Sequence, residues 1–168
     1  PLIFYTSNEA NNAPVAQNAN YSIEEDSMVT IYLSASDEEG DVLSFLITEG
    51  PTNGTISLFE NLATYNPNIN FNGTDSFEFK ANDGQEDSNI ATVMLIVNAV
   101  NDAPYLFPID NVSIEAGETF SYNLQAEDAD GDVLIYTATT SSENVTLNIN
   151  ENTLNITPQE STQLSTLW

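Results

Sequence analysis

The chain has no cysteine and no histidine, and Lys80 is its single basic residue. Without cysteine there is no disulfide and no thiolate metal site. That fits a secreted bacterial protein better than a disulfide-rich extracellular domain of a eukaryote. Without histidine the commonest general base and the commonest transition-metal ligand are missing. Against the one lysine stand 26 acidic residues in 168, a formal net charge of −25. Ion pairing within the chain cannot neutralise so many carboxylates, so the chain tolerates self-repulsion or binds cations. Nucleic acid is excluded as a partner, because phosphate neutralisation needs Lys and Arg. Anionic membrane surfaces are excluded by the same argument, and no apolar run approaches spanning length, so no membrane insertion is expected.

What is present is enough for packed cores: 40% hydrophobic and 10% aromatic residues, well clear of a disordered composition. The strongest internal signal is a repeat. Asn11-Asn12-Ala13-Pro14 returns as Asn101-Asp102-Ala103-Pro104, and Ser22-Ile23-Glu24 as Ser113-Ile114-Glu115. Asp37-Glu38-Glu39-Gly40-Asp41-Val42-Leu43 returns as Asp128-Ala129-Asp130-Gly131-Asp132-Val133-Leu134. The order is kept and the offset is about 90 residues, the signature of tandem units. Residues 1–13 read as a linker from a preceding repeat, 14–102 as a first unit, and 103–168 as a second unit that stops short of a full repeat and continues beyond Trp168.

Inside the first unit the hydrophobic period is two. Val29, Ile31, Leu33 and Ala35 alternate with polar neighbours, as do Leu43, Phe45 and Ile47, and again Phe77, Phe79 and Ala81. Such alternation marks half-buried strands. Ala91, Val93, Leu95 and Val97 form a long last strand, nearly apolar on both faces. Short strands at 54–58 and 63–66 complete the set, with turn signals such as Thr52-Asn53-Gly54 and Asn72-Gly73 between them. In the second unit Phe120 to Ala126, Leu134 to Ala138, Val145 to Ile149 and Leu154 to Ile156 repeat the pattern. The expectation is all-β: tandem immunoglobulin-like (cadherin-like) Greek-key β-sandwiches, the second incomplete.

In that topology acids distant in sequence converge at the ends of the units. Asp37, Glu39, Asp41 and Asp83 belong to loops at the top of unit one, where Asn11 and Asn12 arrive. Glu24, Glu25 and Asp75 lie at its bottom, and Asn101 and Asp102 lead from there to Asp128, Asp130 and Asp132. Calcium takes six to eight oxygens, mostly carboxylate and carbonyl, so these positions, thirteen with Asn11 left aside, are the candidate ligands and calcium the candidate cofactor. The same Asp, Asn and Gly residues also serve as plain turn formers with no ion. Magnesium is disfavoured by its demand for octahedral geometry, and no EF-hand loop is present.

Unit one resembles the bacterial cadherin-like, immunoglobulin-like tandem repeats of large secreted surface proteins and adhesins. The resemblance lies in Ala13-Pro14-Val15-Ala16, Glu24-Glu25-Asp26, Asp37-Glu38-Glu39-Gly40-Asp41, Tyr65-Asn66-Pro67, Phe71-Asn72-Gly73-Thr74-Asp75-Ser76-Phe77, Asn82-Asp83-Gly84 and Val100-Asn101-Asp102-Ala103-Pro104. Unit two is similar to the cadherin-like type of dystroglycan and many bacterial proteins, through Gly117-Glu118, Asp128-Ala129-Asp130-Gly131-Asp132 and Leu154-Asn155-Ile156-Thr157-Pro158. The resemblance implies calcium binding and no catalysis. It likens the Glu24/Glu25 pair, Asp128/Asp130 and Asn101/Asp102 to the acidic motif, Asp-x-Asp and linker of cadherins, whose linker is longer and richer in ligands. The expected protein is a non-catalytic, calcium-binding extender or adhesion module at the cell surface, stiffened by calcium at inter-domain junctions. Its partners are neighbouring repeats of the same chain and a surface glycan or protein ligand. A competing reading is a carbohydrate-binding accessory module of a secreted polysaccharide-degrading enzyme, which needs exposed aromatics grouped on one face. Tyr32, Tyr65 and Phe59 are the candidates, with Tyr65 expected inside.

Overall fold

The computed structural model describes residues 10–160. Most of the expected linker, residues 1–9, and Trp168 lie outside the described residues. The chain divides into two compact units between Val100 and Asn101. All described secondary structure is β.

Unit one contains β1 (Val15–Ala16), β2 (Ala19–Glu24), β3 (Val29–Tyr32), β4 (Ala35–Ser36), β5 (Ser44–Glu49), β6 (Gly54–Phe59), β7 (Leu62–Pro67), β8 (Gly73–Asn82) and β9 (Ala91–Asn98). One sheet has the order β2-β9-β8-β5 and the other β3-β7-β6. The chain changes sheet between β2 and β3, between β3 and β5 by way of β4, between β5 and β6 and between β7 and β8, which gives the Greek-key winding of an immunoglobulin-like sandwich. Alternation explains the core. Ile31, Ala63 and Tyr65 come from the three-stranded sheet, and Phe77, Phe79, Val93 and Leu95 from the four-stranded one. All seven belong to a single buried cluster. Full burial of a large apolar side chain contributes about 1.5–3 kcal/mol, so these positions dominate the stability of the unit.

Three strand expectations need correction. The run Val29 to Ala35 is not one strand. After Tyr32 the Leu33 amide donates to the Asn61 carbonyl at 2.8 Å, and the chain leaves β7 to pair as β4 with β1. The last strand is buried on one face only, since Met94 and Ile96 are 48% and 44% exposed. And β2, which the sequence pattern did not reveal, runs parallel to β9 over its whole length, from Ala19 beside Val93 to Glu24 beside Asn98.

Unit two repeats much of this plan. It contains β10 (Tyr105–Leu106), β11 (Phe120–Asn123), β12 (Ala126–Glu127), β13 (Val145–Asn150) and β14 (Thr153–Pro158). The pairs β10-β12 and β11-β14-β13 correspond to β1-β4 and β3-β7-β6. Equivalence reaches single hydrogen bonds. The Leu124 amide donates to the Asn152 carbonyl at 2.7 Å, as Leu33 does to Asn61. Both hairpins turn on a Glu-Asn pair, with Glu60 and Glu151 in the left-handed region at φ 55° and 54°. The stretch Leu134 to Ala138, expected as a strand, forms none. In unit one the matching strand β5 is held by β8, and among the described residues of unit two nothing stands in the place of β8. Side-chain alternation persists there, but the backbone has no ladder partner, and Val133 and Ile135 are exposed.

Gly54 is a backbone requirement of the core. A Cβ there would lie 2.5 Å from Cε2 of Tyr65 and 2.6 Å from the Asn66 carbonyl oxygen, closer than packed atoms approach. Gly54→Ala is therefore expected to lower stability by about 1–3 kcal/mol. Urea titration should show this as a lower midpoint with an unchanged slope.

Candidate functional site

The acidic residues fall into three local groups. At the upper end of unit one the Asn11 side-chain amide donates to Oδ2 of Asp83 at 2.9 Å, and Gln85 Nε2 donates to Oδ1 of Asn11 at 2.8 Å. The Asn12 side chain donates to Oε1 of Glu39 at 2.7 Å. Thus the leading linker, the Asp37–Asp41 loop and the Asp83 hairpin meet at one place. Within the loop the Asp41 amide donates to Oδ1 of Asp37 at 2.9 Å, and Gly40 turns the chain at φ 79°. Oδ2 of Asp37 is buried with no hydrogen-bond partner. The Asp83 carboxyl is held below its ordinary range by the Glu86 amide, the Asn11 side chain and the Gln85 amide. No contact of the Asp41 carboxylate joins it to this group.

At the other end of unit one Glu25 is 4% exposed. Its amide donates to the Asn98 carbonyl, and its Oε1 accepts the Val100 amide at 2.7 Å. Its Oε2 is buried without a partner. A buried carboxylate oxygen that meets no N–H is costly, and such atoms call for an explanation. Glu24 is exposed at the end of β2.

Asp75 departs from its expected role. It is buried, and both oxygens are saturated. Oδ1 accepts the Thr52 and Ser76 amides at 2.9 Å each. Oδ2 accepts the Asn53 amide at 2.9 Å and the Tyr65 hydroxyl at 3.0 Å. Burial pushes its pKa up, but the Thr52, Asn53 and Ser76 amides and the Tyr65 hydroxyl together hold it below the usual range. The same pair drives the Tyr65 phenol far upward, by burial first and by Asp75 second. With four donors on two oxygens, Asp75 has no lone pair left for a metal. It anchors the turn before β6 to Tyr65 in the core.

In unit two Oδ1 of Asp128 accepts the Asp130 and Asp132 amides, each at 3.1 Å. Oδ2 of Asp130 accepts the Asp102 amide at 2.7 Å, and the Asn101 side chain donates to the Asp102 carbonyl at 2.9 Å. This loop reproduces the Asp37–Asp41 loop, with Gly131 at φ 76° in the place of Gly40. Beside it is a recess of about 450 Å³ lined in part by Asn101, Asp102, Asp128 and Asp132. Among the described residues no three carboxylates stand close enough to form a ready-made ion site. The acids are instead satisfied in pairs, largely by backbone amides. Sequence reasoning missed Glu38, whose Oε2 accepts the Asn12 side-chain amide at 3.4 Å, missed Gln85 and Val100 as partners, and missed that Tyr65 belongs with Asp75.

A Greek-key sandwich with acidic loops at its ends defines the molecule as an immunoglobulin-type β module. The chain belongs to the bacterial Ig domain family, whose profile matches residues 11–96, more than half of its length. It is 29% identical over 117 residues to integrin beta-like protein B of Dictyostelium discoideum, a match covering 60% of this chain but only 6% of that protein. Among solved structures it is similar to protocadherin gamma B2 extracellular cadherin domains 1–5, at 13% identity and a TM-score of 0.49, over 89% of this chain and 33% of that one. It is also similar to an endo-fucoidan hydrolase of glycoside hydrolase family 107, at 23% identity and a TM-score of 0.42, over 94% of this chain and 26% of that one. The chain thus spans a third or less of each of these proteins.

Asp75→Ala should strand the Thr52 and Asn53 amides and the Tyr65 hydroxyl. The expected loss is about 3 kcal/mol, one to three for each buried unsatisfied group partly relieved by water. The pH dependence follows from the lowered pKa. The contribution of Asp75 is complete above the ordinary carboxylate value of about 3.9 and is lost as pH falls through its lower folded value. Acid unfolding followed by circular dichroism should therefore be steeper in the wild type than in Asp75→Ala below that value.

Proposed function

We propose that this chain is a non-catalytic, calcium-binding adhesion or extender module of an extracellular surface protein. The observation that carries the reading is the buried, partnerless Oε2 of Glu25, supported by the equally buried Oδ2 of Asp37. A cation beside such an oxygen removes the cost of its isolation, and a chain with one lysine has no amine to spare for it. The donor chemistry fits a hard cation. Carboxylates, side-chain amides and backbone carbonyls are at hand, and thiolates and imidazoles are absent from the sequence. Asp37, Glu39, Asp41, Asp83 and Asn12 would serve the upper end of unit one, and Glu25 with Glu24 its lower end. Asn101, Asp102, Asp128, Asp130 and Asp132 would serve unit two. Since no three acids are gathered at one point among the described residues, carbonyls and water would complete the six to eight oxygens that calcium requires. The ion when bound supplies positive charge where carboxylates otherwise repel. The cores rest on apolar strands and need no metal. The family assignment supports an adhesion-type module, and the lack of histidine and cysteine supports one without catalysis.

Calcium at a hundredfold excess over its dissociation constant should stabilise the chain by about 2.7 kcal/mol, a rise of several degrees in melting temperature. Chelation should reverse the rise while the far-ultraviolet circular dichroism stays β-type. Glu25→Gln separates the ion from the fold. In chelator the variant should melt at or above the wild type, because a buried charge is gone. In calcium it should melt below it. An unchanged melting temperature in millimolar calcium, or equal stabilisation by magnesium, would overturn the reading.

A further inference from the structure

The three-stranded sheet of unit one has an uncharged outer face, as does its counterpart in unit two, but it alone of the two bears exposed aromatics there. None of the residues in β3, β6 or β7 is charged, in a chain with 26 acids. The four-stranded sheet, by contrast, carries Glu24, Glu49, Glu78 and Lys80 besides the buried Asp75. Register shows how the uncharged face is built. Tyr32 pairs with Leu62, and Leu62 with Phe59, so the three form one row across the sheet. The next row is Thr30, Thr64 and Ser57, with the two threonine hydroxyls 3.3 Å apart. Tyr32 is 69% exposed and Phe59 72%. Their strands flank β7, so their backbones stand about 9–10 Å apart, two strand spacings.

The fold does not need this row. In unit two the same three register positions are Asn123, Thr153 and Asn150, and the hairpin forms with the same Glu-Asn turn. Two exposed aromatics where the repeat carries polar residues are a feature added to the shared scaffold. We infer that this face is a binding platform for an uncharged polysaccharide. The apolar faces of sugar rings stack on aromatic side chains, and sugar hydroxyls exchange hydrogen bonds with a row of Thr and Ser. The spacing of the two strands is comparable to the length of a disaccharide, so Tyr32 and Phe59 would meet alternate sugars of an extended chain. Charge selects among occupants. An acidic polymer is repelled by the net charge of −25, and so is a second copy of this chain. A neutral glycan is not, and the uncharged sheet presents no carboxylate that it must desolvate. This platform is independent of the calcium reading.

Affinity electrophoresis and titration calorimetry on the whole chain would test the assignment. The probes are neutral laminarin, pullulan, galactomannan and xyloglucan, and acidic alginate and sulfated fucan. At least one neutral polymer should bind, in calcium and in chelator alike, and the acidic ones should not. Tyr32→Asn and Phe59→Asn, which install the residues of unit two, should each weaken binding about tenfold and together abolish it, with melting temperatures unchanged. The inference is overturned if no neutral polymer binds, if binding survives both substitutions, or if only acidic polymers bind. Self-association that the two substitutions abolish would also overturn it, by making the occupant a second copy.

Discussion

Twenty-six carboxylates share one amine in this chain, and much of the structure's detail is a response to that imbalance. Lys80 is held by Asp87. For the other acids the available donors are amides, and the fold directs them accordingly. Asp75 takes three backbone amides, Asp83 takes two and an asparagine, and Asp37 and Asp128 each close a loop on the amides that follow. The tight Asp-x-x-Gly-Asp turns are thus devices for solvating charge with the backbone. Where the supply of N–H groups ends, as at Glu25, one carboxylate oxygen takes an amide and the other has no donor.

The repeat shows which residues serve the fold and which do not. The Leu33–Asn61 and Leu124–Asn152 pairs, the left-handed Glu60 and Glu151, and the Gly40 and Gly131 turns recur because the sandwich needs them at those places. The Tyr32-Leu62-Phe59 row does not recur. Two copies inside one molecule thus separate scaffold from addition without any appeal to other proteins.

Much of this was legible from the residues. Period-two alternation located β5, β6, β7, β8, β9, β13 and β14, and the recurrence of Asp37–Leu43 at Asp128–Leu134 located the acidic loops. What failed has physical causes. The run Val29 to Ala35 keeps its alternation through the point where the chain changes sheet, because Leu33 and Ala35 face inward on both sides of the break. In β2 the buried side is marked by Ala19, Tyr21 and Ile23, none of them fully buried, and its partner is some seventy residues away in sequence. Leu134 to Ala138 alternates as a strand does, but alternation records side-chain burial and a ladder needs a neighbour. The acids were legible as loop residues and not as individuals. Nothing in the letters separates Asp75, buried and fully hydrogen-bonded, from Asp41, whose carboxylate is joined to nothing else in its group.

The parallel pairing of β2 with β9 has a mechanical meaning. The first long strand of unit one and its last strand lie side by side, matched from Ala19–Val93 to Glu24–Asn98, and point the same way. Tension applied to the two ends of the unit pulls β2 and β9 past each other along their length. Their hydrogen bonds are then loaded together, as in a lap joint, and must fail together. Antiparallel neighbours pulled apart at one end would instead unzip rung by rung. A unit stretched by its two ends is thus clamped where β2 and β9 lie side by side.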